Sequence, residues 1–367
     1  MVSDIFQERA ARVMALCRAR GIKALLIFPG IEQYYLAGIS LGLSERPCVV
    51  VMPLEGEPFF FVPRLEQELR GGKSWITKVC PWGEGLAFVE LAGALKRLGA
   101  DKGKIGISEE APWIWIRQLE GLLPGVEFVS ATQSINQLRM RKTAGELELM
   151  ERACRAVDHA VQAGFESLRE GITEREVAEV VVGDMRRTSG SSGGCLVQFG
   201  AQAARPHAAA GPGKLKTGDV VVIDASAADR YRSDITRSVF FGQPTPRQRL
   251  IWETVLEAQR AAFEAIRPGT SCQHADSAAR KVIEDAGFGE YFLHRLGHGI
   301  GLQIHEEPYL VQGNPMPLEP GMTFTIEPGI YIPGELGVRI EDTAVCTETS
   351  CRSLTQLEKK LSHLDLT

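Results

Sequence analysis

The chain has 367 residues, enough for two domains of ordinary size, and 44% of them are hydrophobic, as in soluble globular proteins with sizeable cores. Its formal net charge of -5 disfavours binding to nucleic acid or to an anionic membrane surface, because neither polyanion would be attracted to it. The sequence also lacks any run of about 18 apolar residues, the length that a membrane-spanning helix needs. We therefore expect no nucleic-acid partner and no membrane partner.

Two features of the sequence concern the cellular compartment. The eight cysteines are scattered without a C-x-x-C pair, a pattern typical of buried free thiols in a reducing compartment. Residues 1–21 carry a helical apolar stripe that charged residues interrupt, which is unlike a signal peptide. Together these features predict a cytoplasmic protein.

The first part of the chain alternates helical and strand-like patterns. Helical patterns cover residues 3–20, 84–98 and 111–121. Strand-like apolar runs cover residues 23–28, 47–52, 57–62 and 104–108. No glycine fingerprint follows the first strand, so this part has no dinucleotide signature. We predict an N-terminal α/β domain over residues 1–132.

The second part has clear helix starts and longer strand patterns. A threonine followed three residues later by Glu or Gln marks the start of four helices, at Thr143, Thr173, Thr245 and Thr270. Strand patterns cover residues 219–224, 233–241, 322–328 and 338–345. This mixture predicts an α+β domain over residues 133–367, in which helices pack on a largely antiparallel sheet.

Acidic residues interrupt four of these apolar strand patterns, at Asp224, Asp234, Glu327 and Glu341. A carboxylate in such a strand is costly to bury unless it is paired or bound to metal. Two divalent cations would balance four carboxylates that are brought together. His298, which lies between glycines, is a fifth candidate ligand. Oxygen donors with one imidazole favour Mn²⁺, Co²⁺, Fe²⁺ or Zn²⁺ over copper, and two such ions suit hydrolysis.

Residues 135–350 resemble, in order, a known family of enzymes. The segments that carry the resemblance are RPHAAAG, VVVIDASAADRYRSDITR, HRLGHGIGLQIHEEP and TIEPGIYIPGELGVRIED. They are similar to those of the creatinase/methionine aminopeptidase-like ("pita-bread") metallopeptidases, and most similar to those of Xaa-Pro dipeptidases and Xaa-Pro aminopeptidases. The resemblance implies a catalytic domain with a curved sheet that cleaves the Xaa-Pro bond at the N-terminus of short peptides. It also implies a homodimer whose N-terminal domain covers the partner's active site and restricts substrate size.

The resemblance also implies roles for individual residues. It assigns two divalent metal ions, Mn²⁺ first and Co²⁺, Zn²⁺ or Fe²⁺ as alternatives, to the ligands Asp224, Asp234, His298, Glu327 and Glu341. Of these, Asp234 and Glu341 would bridge the two ions, and Glu327 would also shuttle a proton. His207 and His305 would bind the substrate carbonyl and the tetrahedral intermediate. Arg339, two residues before Glu341, is expected on the same strand face, where it can orient the acidic cluster.

Two positions depart from the family pattern. The spacing between Asp224 and Asp234 is one residue shorter than is usual, and a shifted register would turn Asp234 to the wrong face. Some dipeptidases of the family have a basic residue directly after the HExP motif, where this chain has Tyr309. Dipeptides and longer peptides therefore both stay open as substrates. A same-fold metal hydrolase of a non-proline small substrate and an inactive peptide-binding scaffold also stay open.

Overall fold

The computed structural model describes residues 2–68, 74–190 and 193–362. Contacts within the chain divide it into two compact units, Met1–Arg139 and Met140–Thr367. The domain boundary that we predict between residues 132 and 133 lies at the start of the helix Thr132–Arg139, and it stays a prediction. Residues 363–367 of the predicted second domain lie outside the described residues.

The first unit is a mixed sheet with helices. Its helices are α1 Val2–Ala19, α2 Ile31–Ala37, α3 Ala87–Arg97, α4 Trp113–Leu122 and α5 Thr132–Arg139. Its strands are β1 Ile22–Ile27, β2 Val49–Pro53, β3 Phe59–Pro63, β4 Lys78–Trp82, β5 Gly103–Ile107 and β6 Val126–Ser130. The strands lie in the order β4-β3-β2-β1-β5-β6, with β1 antiparallel to β2 and parallel to β5.

The apolar runs in β1, β2 and β3 are explained by burial. These strands are buried along almost their whole length, which is the pattern of a sheet covered on both faces. Leu26 and Val51, for example, belong to one apolar cluster with Leu91 of α3 and Trp115 of α4. The prediction of an α/β arrangement for this part of the chain is confirmed.

The second unit contains a larger, antiparallel sheet. Its helices are α6 Ala144–Glu166, α7 Glu174–Ser189, α8 Pro246–Ala265 and α9 Cys272–Asp285. Its strands are β7 Gly194–Phe199, β8 Val220–Asp229, β9 Tyr231–Phe240, β10 Gly297–Gly299, β11 Glu306–Leu310, β12 Thr323–Ile326, β13 Gly329–Ile332, β14 Leu336–Arg339, β15 Glu341–Cys346 and β16 Cys351–Ser353. The main sheet has the order β11-β10-β12-β15-β9-β8-β7, while β16 pairs with β15, and β13 with β14. Helices on a largely antiparallel sheet were predicted, and the structure confirms them.

Residues of β8 alternate between two cores. Val221 and Ile223 belong to the cluster that holds α6 and α7 on the sheet. Val220 and Val222 belong to the cluster that holds α8 and α9. Because side chains along a strand alternate between faces, Asp224 continues the row of Val220 and Val222. The candidate ligand Asp224 therefore lies at the end of a row of β8 side chains that pack in the core with α8 and α9.

Three of the four predicted helix caps are present. The hydroxyls of Thr143, Thr173 and Thr245 accept a hydrogen bond from the backbone N–H three residues later. The prediction was wrong at α9, where Ser271 caps the helix and the Thr270 hydroxyl donates to the Ala265 carbonyl instead. In the described ranges, none of the helices combines the length and the hydropathy that crossing a bilayer requires.

Residues 354–360, which form no helix or strand, are fixed to the main sheet by charged side chains. The Leu357 carbonyl accepts a hydrogen bond of 3.0 Å from Nε of Arg237 on β9. Lys359 Nζ lies 2.7 Å from Oδ2 of Asp342 on β15, and Arg237 pairs with the same carboxylate. Burial alone would raise the pKa of Asp342, but the two cations hold it below its usual value.

Candidate metal centre

All eight residues that the sequence singled out line one pocket of the second unit, about 710 Å³ in volume. They are His207, Asp224, Asp234, His298, His305, Glu327, Arg339 and Glu341. These residues are far apart in the sequence, so the sheet and its loops bring them together. The pocket is therefore the candidate functional site.

The hairpin of β8 and β9 places Asp224 and Asp234 on the same face of the sheet. Asp224 lies opposite Thr236, and Ser226 lies opposite Asp234. The strands reverse at Arg230, whose φ of 65° lies in the left-handed region. The shorter spacing is thus absorbed in a tight turn, and the register that faces both carboxylates toward the pocket is kept.

The remaining acidic residues come from neighbouring strands. Glu341 starts β15 and lies opposite Thr236 of β9, so it shares a row with Asp224 across the sheet. Glu327 directly follows β12, and its Oε1 accepts a hydrogen bond of 2.9 Å from the Thr325 hydroxyl. Both carboxylates therefore have positions fixed by the sheet.

His298 lies on the short strand β10 between two glycines that have no room for a side chain. A Cβ at Gly297 would lie 1.9 Å from the Thr325 carbonyl oxygen, and one at Gly299 would lie 2.2 Å from that of Glu307. The His298 Nδ1 lies 3.1 Å from the Gly299 carbonyl oxygen, which fixes the proton on Nδ1 and leaves Nε2 with its lone pair. Nε2 is 3.3 Å from Glu327 Oε1.

The candidate ligands converge to different degrees. Ligand atoms of Asp234, His298 and Glu341 lie within 4.8 Å of one another. Glu327 joins this group through its short distance to His298. Asp224 instead accepts a hydrogen bond from the Arg339 guanidinium. The structure thus forms a tight group of three candidate ligands, with Glu327 and Asp224 beside it in the same pocket.

The electrostatics of this group fit divalent cations. Burial raises the pKa of Asp234 well above its usual value, and the charges of Asp224 and Glu327 raise it further. Burial and then the charge of Asp234 raise the pKa of Glu341 in the same way. Carboxyls in this position must take up protons unless positive charge is supplied. Burial also lowers the pKa of His298 to about 4, so its imidazole is neutral and able to bind a metal.

Arg339 connects the acidic group to the framework. Its Nε donates to the Thr236 hydroxyl and one of its terminal nitrogens donates to the Tyr331 hydroxyl, each at 2.9 Å. Its other terminal nitrogen binds Asp224. The prediction that Arg339 and Glu341 share one strand was wrong, because the chain breaks at Ile340 into β14 and β15. Both side chains still reach the same pocket.

The two other histidines are at the accessible side of the pocket. His207 follows β7 in a loop and is exposed. His305 is also exposed, and its ring lies edge-on to that of His298 with 4.2 Å between centroids. Partial burial, followed by the nearby His298 and Arg295, lowers the pKa of His305. A neutral His305 can donate one hydrogen bond to a group in the pocket.

His294 and Arg295 are among the pocket-lining residues that the sequence did not predict for the site. The His294 Nδ1 lies 2.7 Å from the Arg295 carbonyl oxygen, and its Nε2 lies 2.9 Å from the Tyr331 hydroxyl. Burial lowers the pKa of His294, which keeps its ring neutral. The only sequence signal was position, because both residues closely precede His298.

Comparison with known proteins identifies the family. Residues 148–348 match metallopeptidase family M24, and residues 9–141 match the creatinase/prolidase N-terminal domain. The chain is 36% identical over 359 residues to the Xaa-Pro dipeptidase of Pyrococcus furiosus, covering 97% of this chain and 99% of that protein. It is also 36% identical over 365 residues to the putative dipeptidase YkvY of Bacillus subtilis, covering 96% and 99% of the two chains.

The fold is shared with a solved structure of the same kind. The crystal structure of dipeptidase PepE from Mycobacterium ulcerans superimposes with a TM-score of 0.93 at 36% identity, covering 99% of this chain and 98% of that chain. The predicted two-domain pita-bread architecture is thereby confirmed. The family implies divalent metal ions, which agrees with the group of buried ligands. The chain is a peptidase that belongs to metallopeptidase family M24.

Proposed function

We propose that this peptidase hydrolyses the Xaa-Pro bond at the N-terminus of short peptides. The observation that carries the proposal is the convergence of four carboxylates and one neutral imidazole in a single pocket. The Pyrococcus furiosus relative, which is named an Xaa-Pro dipeptidase, supports the choice of bond. Proline is a distinctive leaving group because its nitrogen carries no N–H after an acyl residue.

Five side chains would hold two divalent ions: Asp224, Asp234, His298, Glu327 and Glu341. In this proposal both ions would draw on Asp234 and Glu341, whose pKa values are raised by burial and then by neighbouring carboxylates. Mn²⁺ is our first choice, with Co²⁺, Zn²⁺ or Fe²⁺ as alternatives, because oxygen donors outnumber nitrogen donors. When bound, such ions acidify water and polarise a carbonyl oxygen.

Glu327 is the proposed proton carrier. Its Oε1 is engaged by the Thr325 hydroxyl, so Oε2 is the oxygen that takes a proton from the attacking water. The water oxygen bonds to the scissile carbonyl carbon, and the bond from that carbon to the proline nitrogen then breaks. Oε2 returns the proton to this nitrogen, which leaves as a secondary amine.

His207 and His305 are proposed to bind the carbonyl oxygen as it becomes negative. Both line the pocket at its accessible side, where a peptide enters. A neutral imidazole N–H strengthens its hydrogen bond as charge develops on the oxygen, and this favours the transition state. Arg339 is a positioning residue in this scheme, because it acts through Asp224.

A homodimer and a cytoplasmic location complete the proposal. The family resemblance supports the dimer, in which the N-terminal domain of each subunit would limit the length of bound peptides. Eight free cysteines support a reducing compartment. Light scattering should give twice the chain mass of 40.2 kDa, and a monomer would contradict the dimer. Cell fractionation should recover the protein in the cytoplasmic fraction.

The activity test uses protein stripped with chelator and reloaded with each metal in turn. Mass spectrometry then follows cleavage of Ala-Pro, Ala-Pro-Ala and Ala-Ala, and elemental analysis counts the bound ions. We expect metal-dependent cleavage of a proline substrate, lost in Asp234→Asn and kept in Glu253→Gln, which removes an exposed charge on α8. Cleavage of Ala-Ala alone would favour a different small substrate. Two bound metals with no cleavage would indicate a metal hydrolase of another substrate, and a metal content near zero would indicate a peptide-binding scaffold.

A further inference from the structure

We propose that Arg295 binds the free C-terminal carboxylate of the substrate and so makes this enzyme selective for dipeptides. The inference rests on the proposed function, which leaves the substrate length open. In this chain Tyr309 stands directly after the HExP motif, so that position supplies no cation for a carboxylate. Arg295 supplies it from a different segment, the one that leads into β10.

Charge distribution in the pocket points to Arg295. Arginine lines the pocket at two positions, Arg295 and Arg339. Arg339 is fully engaged by Thr236, Tyr331 and Asp224. Within the described part of the chain, Arg295 has no carboxylate partner, although it is only half-buried and lines a strongly acidic pocket. A cation in this state is available to an anionic group of the substrate.

The Tyr309 ring packs against the Arg295 guanidinium. The guanidinium carbon lies 4.5 Å from the centroid of the Tyr309 ring, which is the geometry of a cation–π contact. Tyr309 of β11 lies opposite His298 of β10, so its ring is on the strand next to the candidate ligand. A planar guanidinium that stacks on an aromatic face keeps its N–H groups at its edge free for a carboxylate. Tyr309 stands where some dipeptidases of the family have a basic residue, and its ring instead positions the guanidinium of Arg295.

The backbone of Arg295 is fixed by its neighbours. His294 binds the Arg295 carbonyl through Nδ1, and its Nε2 is engaged by the Tyr331 hydroxyl. Arg280 of α9 donates to the His294 carbonyl at 2.9 Å, and Asp276 accepts from the Leu296 N–H at 2.9 Å. The segment on either side of Arg295 is therefore tied to a helix, and the side chain starts from a rigid base.

Substrate chemistry explains why such a cation selects dipeptides. In an Xaa-Pro dipeptide the carboxylate is attached to the carbon next to the scissile nitrogen, so it must lie close to the site of cleavage. In a longer peptide, a neutral amide takes its place. A hydrogen bond to a charged group is stronger than one to a neutral group, by an amount that corresponds to roughly ten- to a hundred-fold in kcat/KM.

The test compares each free dipeptide with its C-terminal amide, which differs only in that charge. Ala-Pro, Ala-Pro amide, Ala-Ala and Ala-Ala amide are assayed with the metal-loaded enzyme. We expect the wild type to prefer the free acid by roughly ten- to a hundred-fold. Arg295→Met should abolish this preference by raising KM for the free acid, with the amide little changed, and Arg295→Lys should restore part of it.

Two further variants separate positioning from a general loss of structure. Tyr309→Leu should raise KM for the free acid while kcat stays close to the wild-type value, because the ring acts only by holding Arg295. Arg260→Met removes an exposed positive charge from α8 and should leave the acid-to-amide ratio unchanged. Equal rates for acid and amide in the wild type, or equal losses for both in Arg295→Met, would overturn the inference.

The two proposals fail in different ways. If Ala-Ala and its amide are cleaved but the proline pair is not, the proline specificity is wrong, and the acid-to-amide ratio still tests Arg295. If no peptide is cleaved, calorimetric titration with Ala-Pro and Ala-Pro amide decides the point. Tighter binding of the acid that Arg295→Met removes would support the inference, and equal binding would contradict it.

Discussion

One buried guanidinium group, that of Arg339, binds three oxygen atoms that belong to three different strands or their ends. Its partners are Thr236 of β9, Tyr331 of β13 and Asp224 of β8. Lysine has a single charged nitrogen and cannot reproduce this planar fork. The orientation of Asp224 therefore depends on arginine rather than on positive charge alone.

We expect Arg339→Lys to lower metal affinity or kcat/KM by roughly ten- to a hundred-fold, as losses of a ligand's outer partner typically do. Tyr331→Phe removes one of the three contacts of Arg339, together with the contact to His294, and should have a smaller effect on metal affinity and kcat/KM. Metal titration and steady-state kinetics measure both. Arg249→Lys, at an exposed position of α8, is the matched control. Wild-type metal binding and kinetics in Arg339→Lys would show that charge alone is sufficient.

A second residue, Glu32 of α2, is buried in the first unit away from any proposed chemistry. Burial raises the pKa of this carboxyl to about 7, although Oε2 accepts a hydrogen bond from the Glu109 N–H. Among the residues that the structure describes, Oε1 has no hydrogen-bond partner. The folded state therefore binds the proton more tightly than the unfolded state does, and stability declines as pH rises from the ordinary value of 4.5 to about 7.

Glu32→Gln should remove this decline. At pH 8 the variant should be more stable than the wild type by up to about 3 kcal/mol, and near pH 4 the two should be similar. Urea unfolding followed by tryptophan fluorescence suits this test, because Trp75, Trp82, Trp113 and Trp115 all lie in the first unit. Glu55→Gln, at an exposed position, is the control. A stability difference that does not change with pH would contradict the prediction.

Sequence reasoning found the ligand candidates because charge in an apolar strand is conspicuous. Asp224 and Glu341 were visible for this reason. His294 and Arg295 were not, since they lie in an irregular segment where polar residues are ordinary. Their places in the site depend on the bonds to α9 and on a tyrosine from another strand, contacts that no local pattern encodes.

At the scale of elements, the hairpin of β8 and β9 decides whether two of the candidate ligands meet. The turn at Arg230 is the only place where a residue can be lost without shifting the register of the strands on both sides. The same argument applies to a residue that is inserted into the hairpin. The position of an inserted residue should therefore matter more than its identity.

A glycine inserted between Arg230 and Tyr231 should leave kcat/KM within roughly three-fold of the wild-type value, because the turn absorbs it. The same glycine inserted between Ser226 and Ala227 should lower it by roughly a hundred-fold or more, since it moves Asp224 out of register with Asp234. Thermal unfolding checks that both variants fold. Equal losses in both would show that the turn itself, and not the register, is required.

The elements that sequence predicted well have strong local signals. Capping boxes predicted the start of α6, α7 and α8 because the cap bonds are formed by residues three apart. Strands β4 and β6 were missed because they are mostly half-exposed and have no clear alternation. The break at Ile340 was also missed, since an apolar residue in a strand pattern gives no sign that its neighbours pair with different strands.

At the scale of the whole molecule, metal binding should affect one unit far more than the other. The pKa values of Asp234 and Glu341 are raised by burial and then by neighbouring carboxylates, and these groups belong to the second unit. A cation that binds only the folded protein adds stability by mass action, about 3 kcal/mol at a hundred times the dissociation constant. The added stability belongs to the unit that contains the ligands.

Hydrogen exchange with and without metal tests this expectation. Peptides from β9, β12 and β15 should exchange more slowly in the metal-loaded protein, while peptides from β1, β2 and β3 should exchange at the same rate in both. Asp234→Asn should abolish the difference, and Glu253→Gln should keep it. A uniform slowing along the whole chain would show that the two units unfold together.

The strand order also had to come from the structure. Local patterns identify β1, β2 and β5, but they do not show that β1 pairs antiparallel with β2 and parallel with β5. Such pairings depend on distant contacts that bury both faces at once. The prediction of an α/β part followed by an α+β part was correct because it used only the types of element and their sequence order.

The stretch of irregular backbone at residues 354–360 has a consequence for resistance to proteases. Leu357 supplies the acceptor for Arg237, and Arg237 also binds the backbone carbonyl of Glu341. Proteases prefer exposed irregular segments, and Gln356 is exposed here. A cut after Gln356 would therefore release Arg237 and disturb Glu341 without touching the pocket. Limited digestion should inactivate the enzyme in step with this cleavage, and substrate-sized ligands in the pocket should give little protection.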